Sequence, residues 1–296
     1  MRFCYHVQSN GSAEHLTRLV TVVKRYSPGC VVHVSRDIHA EPVDAAALRA
    51  LPGVGLAHHL GGVGDFSAVD RYLSGIDWVE QHAGPVDWYV NLRDDEYPIR
   101  PLRHAEDEWV AAGVDAAFTH WEPGAGAPWS RYRTRSHYLT RHRRLAGPGR
   151  GAALVRRPLR WLNRLHPPVQ LHAEYGLTLG TPVRPPADLR LYGGEFAAAL
   201  SWRAALHVRD VLRDRPDVAG YFRGCLAPER AVLPTLVRGG GFAVLNDSKR
   251  FVLPPGAADP VALAVASGAH FAGPLDSGRD AATLDRLDAH LAQLAD

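Results

Sequence analysis

Cys30-Val31-Val32-His33-Val34-Ser35-Arg36-Asp37 is the stretch that decides the fold class. Pro28-Gly29 precedes it, its first half is β-branched, and it turns polar at Ser35-Arg36-Asp37. A short apolar run between such breakers reads as a buried strand. Upstream, residues 13–26 carry Leu16, Leu19, Val20 and Val23 at helical spacing, and residues 2–7 form a second short apolar run. Together they make a βαβ unit. Downstream, residues 54–59 predict a third strand, residues 66–83 a helix with Val69, Tyr72, Leu73 and Ile76 on one side, and Trp88-Tyr89-Val90-Asn91-Leu92 a fourth strand. Helices alternating with short buried strands predict an α/β fold, its sheet mainly parallel and flanked by helices. In such sheets ligands bind beyond the carboxyl ends of the strands, here His33 to Asp37 and Arg93-Asp94-Asp95-Glu96.

The chain has 296 residues, 46% of them hydrophobic, enough to bury a full core. Its 34 basic and 31 acidic residues leave a net charge of +3, which excludes a globally basic nucleic-acid coat. Nearly all the positive charge is arginine, since Lys24 and Lys249 are the only lysines. The amino terminus turns polar too early for a secretory signal, and no run reaches the roughly 18 apolar residues that span a bilayer. A cytoplasmic protein is therefore expected. Cys4, Cys30 and Cys225 are too few and too scattered for a disulfide framework or a thiolate zinc site, so reduced, buried thiols are expected.

Residues 121–183 have a different character. Between Glu122 and Glu174 there is no acidic residue, while eleven arginines fall from Arg131 to Arg164, interleaved with Trp129, Tyr132, Tyr138 and Trp161. Such a block either grips an anion or forms a solvated loop. It contains no nucleic-acid-binding motif, so no nucleic-acid partner is expected. Residues 184–190 are a proline-rich connector. Beyond it the pattern predicts a Gly193-Gly194 turn, a helix over about 201–213, a helix opening at Pro228-Glu229, strands near 242–245 and 251–253, and an alanine-rich carboxyl-terminal helix.

Several chemistries are absent. There is no Gly-x-Ser-x-Gly elbow and no Gly-x-x-x-x-Gly-Lys loop; Gly61-Gly62-Val63-Gly64 is the nearest approach to a phosphate-cradling cluster. His58-His59 has no partner at metal-ligand spacing. Asp94 and Glu96 form an Asp-x-Glu at a strand end, which could hold magnesium or manganese or simply be an acidic turn.

The ordered set of motifs resembles one family. Val32-His33-Val34-Ser35-Arg36-Asp37 is similar to the His-Val-Asp strand end of the core-2/I-branching N-acetylglucosaminyltransferases and peptide O-xylosyltransferases. Asn91-Leu92-Arg93-Asp94-Asp95-Glu96-Tyr97-Pro98-Ile99 resembles their Asn-Leu-x-Gly-x-Asp-[Tyr/Phe]-Pro-Ile. Gly193-Gly194-Glu195-Phe196, with Leu200-Ser201 after it, is similar to their Gly-Ser-x-Trp and Ser-Arg segments. Ala227-Pro228-Glu229, with Pro234-Thr235-Leu236 after it, resembles their Pro-Asp-Glu helix start. Lys249-Arg250-Phe251-Val252 and His270-Phe271-Ala272-Gly273-Pro274-Leu275-Asp276 resemble Leu-Arg-Tyr-Ile and Leu-Phe-Ala-Arg-Lys-Phe-Asp.

The resemblance implies a single GT-A-like domain over 1–296: a Rossmann-like nucleotide-sugar-binding half over 1–120, an arginine-rich insertion over 121–183, and an acceptor and catalytic half over 184–296. It implies an inverting transferase using a UDP-sugar, UDP-GlcNAc or similar, with Glu229 as the base that deprotonates a hydroxyl acceptor. Arg250, helped by Lys249, would hold the departing diphosphate in place of a metal. Val7, Gln8, His33, Ser35 and Asp37 would line the base and ribose, Glu96 the donor sugar, and Gly194, Glu195 and Trp202 the acceptor. Four departures stand out: Pro274 replaces a family lysine, Ser35 and Glu96 replace aspartates, and Asp94 replaces a glycine. No cofactor is expected, although the Asp94 and Glu96 pair leaves magnesium or manganese open. The acceptor would be a small molecule, a lipid-linked precursor or a bacterial polymer. A noncatalytic nucleotide-sugar or glycan-binding protein and an anion-binding module built on residues 131–164 stay open as alternatives.

Overall fold

The computed structural model describes residues 1–62, 64–124, 128–147, 150–165 and 168–295; of residues 150–153 only the backbone is described. Val63 of the glycine cluster and the Arg150 side chain of the arginine block fall outside the described set. The central sheet has seven strands: β1 (Phe3–Ser9), β2 (Val31–Asp37), β3 (Val54–His59), β4 (Trp88–Arg93), β5 (Ala116–Ala117), β6 (Ala199–Ser201) and β7 (Val244–Leu245). Their order across the sheet is β3-β2-β1-β4-β6-β5-β7. Every pairing is parallel except the two that β6 makes. The fold is thus α/β with a mainly parallel sheet.

Strand alternation divides the core in two. Phe3, Tyr5 and Val7 of β1, Val32 and Val34 of β2, and Trp88, Val90 and Leu92 of β4 face one layer, closed by helices Ala13–Tyr26, Leu102–Ala111 and Ser277–Ala295. Cys4, Val31, Tyr89 and Leu200 face the other, closed by helices Ser67–Trp78, Trp202–Asp214, Pro216–Arg223 and Glu229–Gly239. Local signals set several helix starts. Ser12 caps the first helix through a bond from the His15 N–H, and Ser201 caps the Trp202–Asp214 helix through the Ala204 N–H. All three cysteines are buried and free. Among the described residues no helix is long and apolar enough to cross a membrane.

The structure corrects some expected elements. The helix expected over 66–83 is α-helical over Ser67–Trp78 and then a π-helical turn over Val79–Ala83. Gly193–Gly194 is a two-residue strand paired with His120–Trp121 and no turn. A Cβ on Gly193 would lie 2.5 Å from the Trp121 indole, so glycine lets the backbone close on the ring. Arg250–Val252, Phe271–Gly273 and Tyr97–Pro98 form a small separate sheet, which carries Arg250 to the end of β4. Thr140–Ala146, Gln170–His172 and Leu177–Pro182 form another, antiparallel, within the arginine-rich stretch.

Helix Ser67–Trp78 lies close on the sheet at Gly75, where a Cβ would come within 2.2 Å of Tyr89 Oη and 2.5 Å of His6 Nδ1. Both neighbours are fully buried. Gly75→Ala adds about 1 kcal/mol of helix propensity, but overpacking a closed site costs about 1–3 kcal/mol. Urea denaturation is expected to show a lower midpoint for Gly75→Ala, and a higher one would mean that the helix can lift off the sheet at little cost.

Candidate active site

The chain turns back between β1 and β4, with β2 and β3 on one side and β4 on the other. This is a topological switch point, and polar groups gather over the carboxyl ends there. Asp94 sits at its centre, buried, one of its oxygens accepting from the Ser9 hydroxyl (2.8 Å), the Asn10 N–H (2.8 Å) and the Gly11 N–H (2.7 Å). Two guanidinium groups are buried beside it. Arg36 donates to the Ser9 hydroxyl (2.5 Å) and the Glu41 carbonyl (2.5 Å). Arg71, from the Ser67–Trp78 helix, donates to the Ser35 hydroxyl (2.9 Å) and to the carbonyls of Ser9 and Ser35. Burial pulls both guanidinium pKa values down, and Asp37 and Asp94 act against that shift.

The expected nucleotide-lining residues divide at this rim. Val7 is a core side chain of the first layer. Gln8 reaches the Ala68 carbonyl at 2.9 Å. Ser35 is buried between Arg71 and His59. Asp37 stands beneath Gly61, where a Cβ would meet its carboxylate at 1.9 Å, so the glycine cluster brings backbone over this side chain. His33 does not reach the rim. It is fully buried in the second layer, its Nδ1 2.9 Å from His6 Nδ1 and its ring stacked on Trp78 at 5.0 Å. Burial lowers its pKa to about 3, so it packs as a neutral ring. The alternation of β2 explains this, because His33 shares a face with Val31 and Ser35 under the helix.

At the end of β4 a second group forms around Arg250, which is 6% exposed at its side chain. Its Nη1 donates to the Ser248 carbonyl (3.0 Å) and its Nη2 to the Asn91 carbonyl (3.3 Å), and the guanidinium lies 4.0 Å above the Phe271 ring. Its Nε is 3.4 Å from Glu96 Oε1 and has no hydrogen-bond acceptor, leaving one N–H unspent. Glu96 also accepts from the Arg93 N–H, and Glu195 accepts from the Ser248 hydroxyl at 2.8 Å. A cleft of about 90 Å³ opens here between Arg93, Glu96, Arg250 and Pro274.

Two expectations are corrected here, and the open metal alternative does not fit the geometry. Lys249 does not join Arg250: a left-handed backbone (φ 52°) turns it toward Glu108 (2.9 Å) and Asp247 (3.2 Å). The surroundings of Arg250 are no cationic cradle either, because Glu96 and Glu195 face it and Arg93 is paired with Asp95 at 2.8 Å. Finally, Asp94 and Glu96 do not fit the part of a metal pair. Asp94 Oδ2 is taken up by Ser9, Asn10 and Gly11 and Glu96 Oε2 by the Arg93 N–H, Glu96 Oε1 faces Arg250 at 3.4 Å, and the described residues contain no cluster of three ligating side chains.

Glu229 opens helix Glu229–Gly239. The residue two before it, Ala227, has φ 48°, a strained conformation for a residue with a Cβ. It is held there by its N–H to the Gly64 carbonyl (3.0 Å) and by the Tyr138 hydroxyl to its own carbonyl (3.0 Å). Because Gly64 lies in the loop leaving β3, the amino end of the helix sits at the same rim as the strand ends. Burial raises the Glu229 pKa to about 7 against the opposing pull of its own backbone N–H and of Arg230. Its Oε2 is buried with no hydrogen-bond partner. Among the described residues no hydrogen bond or ion pair joins it to the Arg250 group. The two are linked through Gly194, where a Cβ would lie 2.6 Å from Pro234 of the Glu229 helix, and through Glu195 beside it, which bonds Ser248.

Of the expected acceptor residues, Gly194 and Glu195 lie between these two groups. Trp202 does not. Because β6 is antiparallel, with Ser201 opposite Trp88, the residue after it falls at the amino end of β4, at the opposite end of the strands from the rim, where the Trp202 N–H meets the Asp87 carbonyl. Arg71 reaches the rim without having been singled out in the sequence, whereas Arg93 belongs to a strand end that the sequence marked. For Arg71 there is no signal in the sequence: helical spacing puts it roughly opposite the Val69, Tyr72, Leu73 and Ile76 face, and only the packing of the helix on the strand ends buries it.

No family model matches the sequence, and no curated protein matches it. Among solved structures the chain is similar to S. aureus TarS 1-349, at 15% identity and a TM-score of 0.31 over 45% of this chain and 40% of that one. The same protein in complex with UDP gives 15% identity and a TM-score of 0.32 over the same shares, and in complex with UDP-GlcNAc 14% and 0.29 over 45% and 38%. The chain thus spans about two fifths of the length of these structures.

Proposed function

We propose that the protein is an inverting glycosyltransferase of GT-A-like architecture. It moves a sugar from a UDP-sugar, UDP-GlcNAc or similar, to the hydroxyl of a small-molecule, lipid-linked or polymer acceptor. The observation that carries this reading is Glu229, a carboxylate with a pKa near neutrality and an unpartnered buried oxygen at the rim of a mainly parallel sheet. A base with this pKa is about half ionised at neutral pH, and its ionised form is basic enough to take a proton from a hydroxyl in the transition state. The sequence resemblance adds the pattern Pro228-Glu229 and Arg250 in the matching order.

In the proposed reaction the acceptor O–H gives its proton to Glu229 as the oxygen attacks the anomeric carbon. The bond from that carbon to the diphosphate oxygen breaks, and its electron pair leaves with UDP. Arg250 supplies its unspent Nε–H to the leaving oxygens, in competition with Glu96. Uridine and ribose lie over Gln8, Ser35 and Asp37, and Gly194 and Glu195 border the acceptor. Arg71 acts as a positioning residue, fixing the ends of β1 and β2. The reading needs no metal.

Glu229→Gln is expected to lower turnover by about 10²–10⁴-fold with UDP affinity by calorimetry unchanged; full turnover would remove the base. The rate of the native protein should rise with pH through about 7, since only the ionised carboxylate accepts a proton. A flat profile between acid and neutral pH contradicts this. The same raised pKa means that ionising Glu229 costs stability as pH rises from the ordinary carboxylate range through 7, so Glu229→Gln should melt higher than the native protein at alkaline pH.

Arg250→Ala alone would leave Glu96 buried and unpaired, at about 3–5 kcal/mol. The informative variant is therefore the double change Arg250→Met with Glu96→Gln, expected to fold and to bind UDP at least about tenfold more weakly through loss of a charge-assisted bond. Undiminished affinity would place the diphosphate elsewhere. Chelation should leave turnover intact, and loss reversed by manganese would overturn the metal-independent reading.

A further inference from the structure

Helix Arg150–Asn163 reverses the usual order of a surface helix, with its largest apolar side chains outward. Leu154 is 81% exposed, Trp161 65%, Leu162 49%, and Leu165, in the turn that continues the helix, 69%. At about 100° per residue, Leu154, Trp161 and Leu165 fall within roughly 40° of one another. Arg156, Arg157, Arg160 and Arg164 fall together on the adjoining flank. The remaining face meets the protein: the Asn163 side chain donates to the Leu171 carbonyl at 2.8 Å. Arg156 and Arg160 also line a cavity of about 390 Å³ with Arg133 and His137, where Glu174, bonded to His137 at 2.9 Å, is the one carboxylate among the lining residues.

Three kinds of cover can be weighed by charge and apolar area. A second copy would bring the same arginine flank against itself, which is repulsive. A nucleic acid would satisfy the arginines and leave Leu154, Trp161 and Leu165 in water. An anionic bilayer surface satisfies both faces at once: phosphates take the guanidinium groups, and the upper acyl region takes the leucines, with tryptophan at the boundary. If the face is covered, the absence of any acidic residue between Glu122 and Glu174 favours a negatively charged partner over a neutral or cationic one. At 14 residues and with an arginine flank, the helix is too short and too charged to span a bilayer, so a bilayer could cover it only by lying against its outer face.

We propose that this helix and its following turn form a docking surface for anionic phospholipid membranes, with Leu154, Trp161, Leu162 and Leu165 inserted and Arg156, Arg157, Arg160 and Arg164 at the headgroup phosphates. The inference does not depend on the transferase reading, and its test uses no sugar donor. The full chain is sedimented with vesicles of phosphatidylcholine and, separately, of roughly three parts phosphatidylcholine to one part phosphatidylserine. Binding is expected to the mixed vesicles only, and to fall about tenfold or more in high salt.

The variant Leu154→Ser with Trp161→Ser, and separately Arg157→Glu with Arg164→Glu, should each abolish pelleting. Both pairs are surface changes, so the melting temperature should stay within about 1 °C of native. Absence of binding to the mixed vesicles overturns the proposal, as does binding that survives both variants. Ultracentrifugation showing a dimer that Leu154→Ser with Trp161→Ser disperses, without vesicle binding, overturns it in favour of self-association. Salt-sensitive RNA binding in a gel shift without vesicle binding overturns it in favour of a nucleic acid.

Discussion

One carboxylate oxygen organises the rim of the sheet. Asp94 Oδ2 takes three donors from the Ser9, Asn10 and Gly11 turn, and the same Ser9 hydroxyl accepts from Arg36 while the Ser9 carbonyl accepts from Arg71. Two buried guanidinium groups next to each other are costly in a medium of low polarity. Asp94 and Asp37 offset that cost, and the hydrogen bonds spend most of the donors. These bonds tie the carboxyl ends of β1, β2 and β4 and the Ser67–Trp78 helix to one another.

That constraint changes the character of the neighbouring chemistry. A glycine in place of Asp94 would leave Arg36 and Arg71 undercompensated, and with an aspartate present the rim is close to neutral. The Arg250 group obeys the same rule, with Glu96 and Glu195 facing one guanidinium. Binding a diphosphate here is an exchange of one anion for another around Arg250 and cannot be attraction to an excess of positive charge. Glu229 is the opposite case. It is buried without a countercharge in contact, and the cost of ionising it appears as a pKa near 7, a value suited to moving a proton.

The arginine-rich stretch touches this rim through Tyr138, which holds the Ala227 turn, and through Arg144, which pairs with Asp65. Its helix, its small antiparallel sheet and its cavity carry the positive charge that the rim does not, together with exposed leucines and a tryptophan. Recognition of an anionic surface and handling of a nucleotide sugar would then be assigned to different parts of one chain, and neither needs the other's charges.

The strands around Val32, the amphipathic helices and the helix start at Pro228-Glu229 could be read directly, because alternation, 3.6-residue spacing and proline are local properties of the chain. So could the positions of Glu229 and Arg250 in the order of motifs. The orientation of His33 and the direction of Lys249 could not. The first depends on which face of β2 lies under the Ser67–Trp78 helix, the second on a left-handed turn and on Glu108, 141 positions away in the sequence. Trp202 was misplaced because the antiparallel sense of β6 is a relation between strands and leaves no mark on Ala199-Leu200-Ser201 itself. The sequence by itself thus determined which residues are apolar, which carry charge and which elements they form; the tertiary structure alone decided which charges meet, because pairing across a sheet is set by strand order and direction, and these are properties of the whole chain.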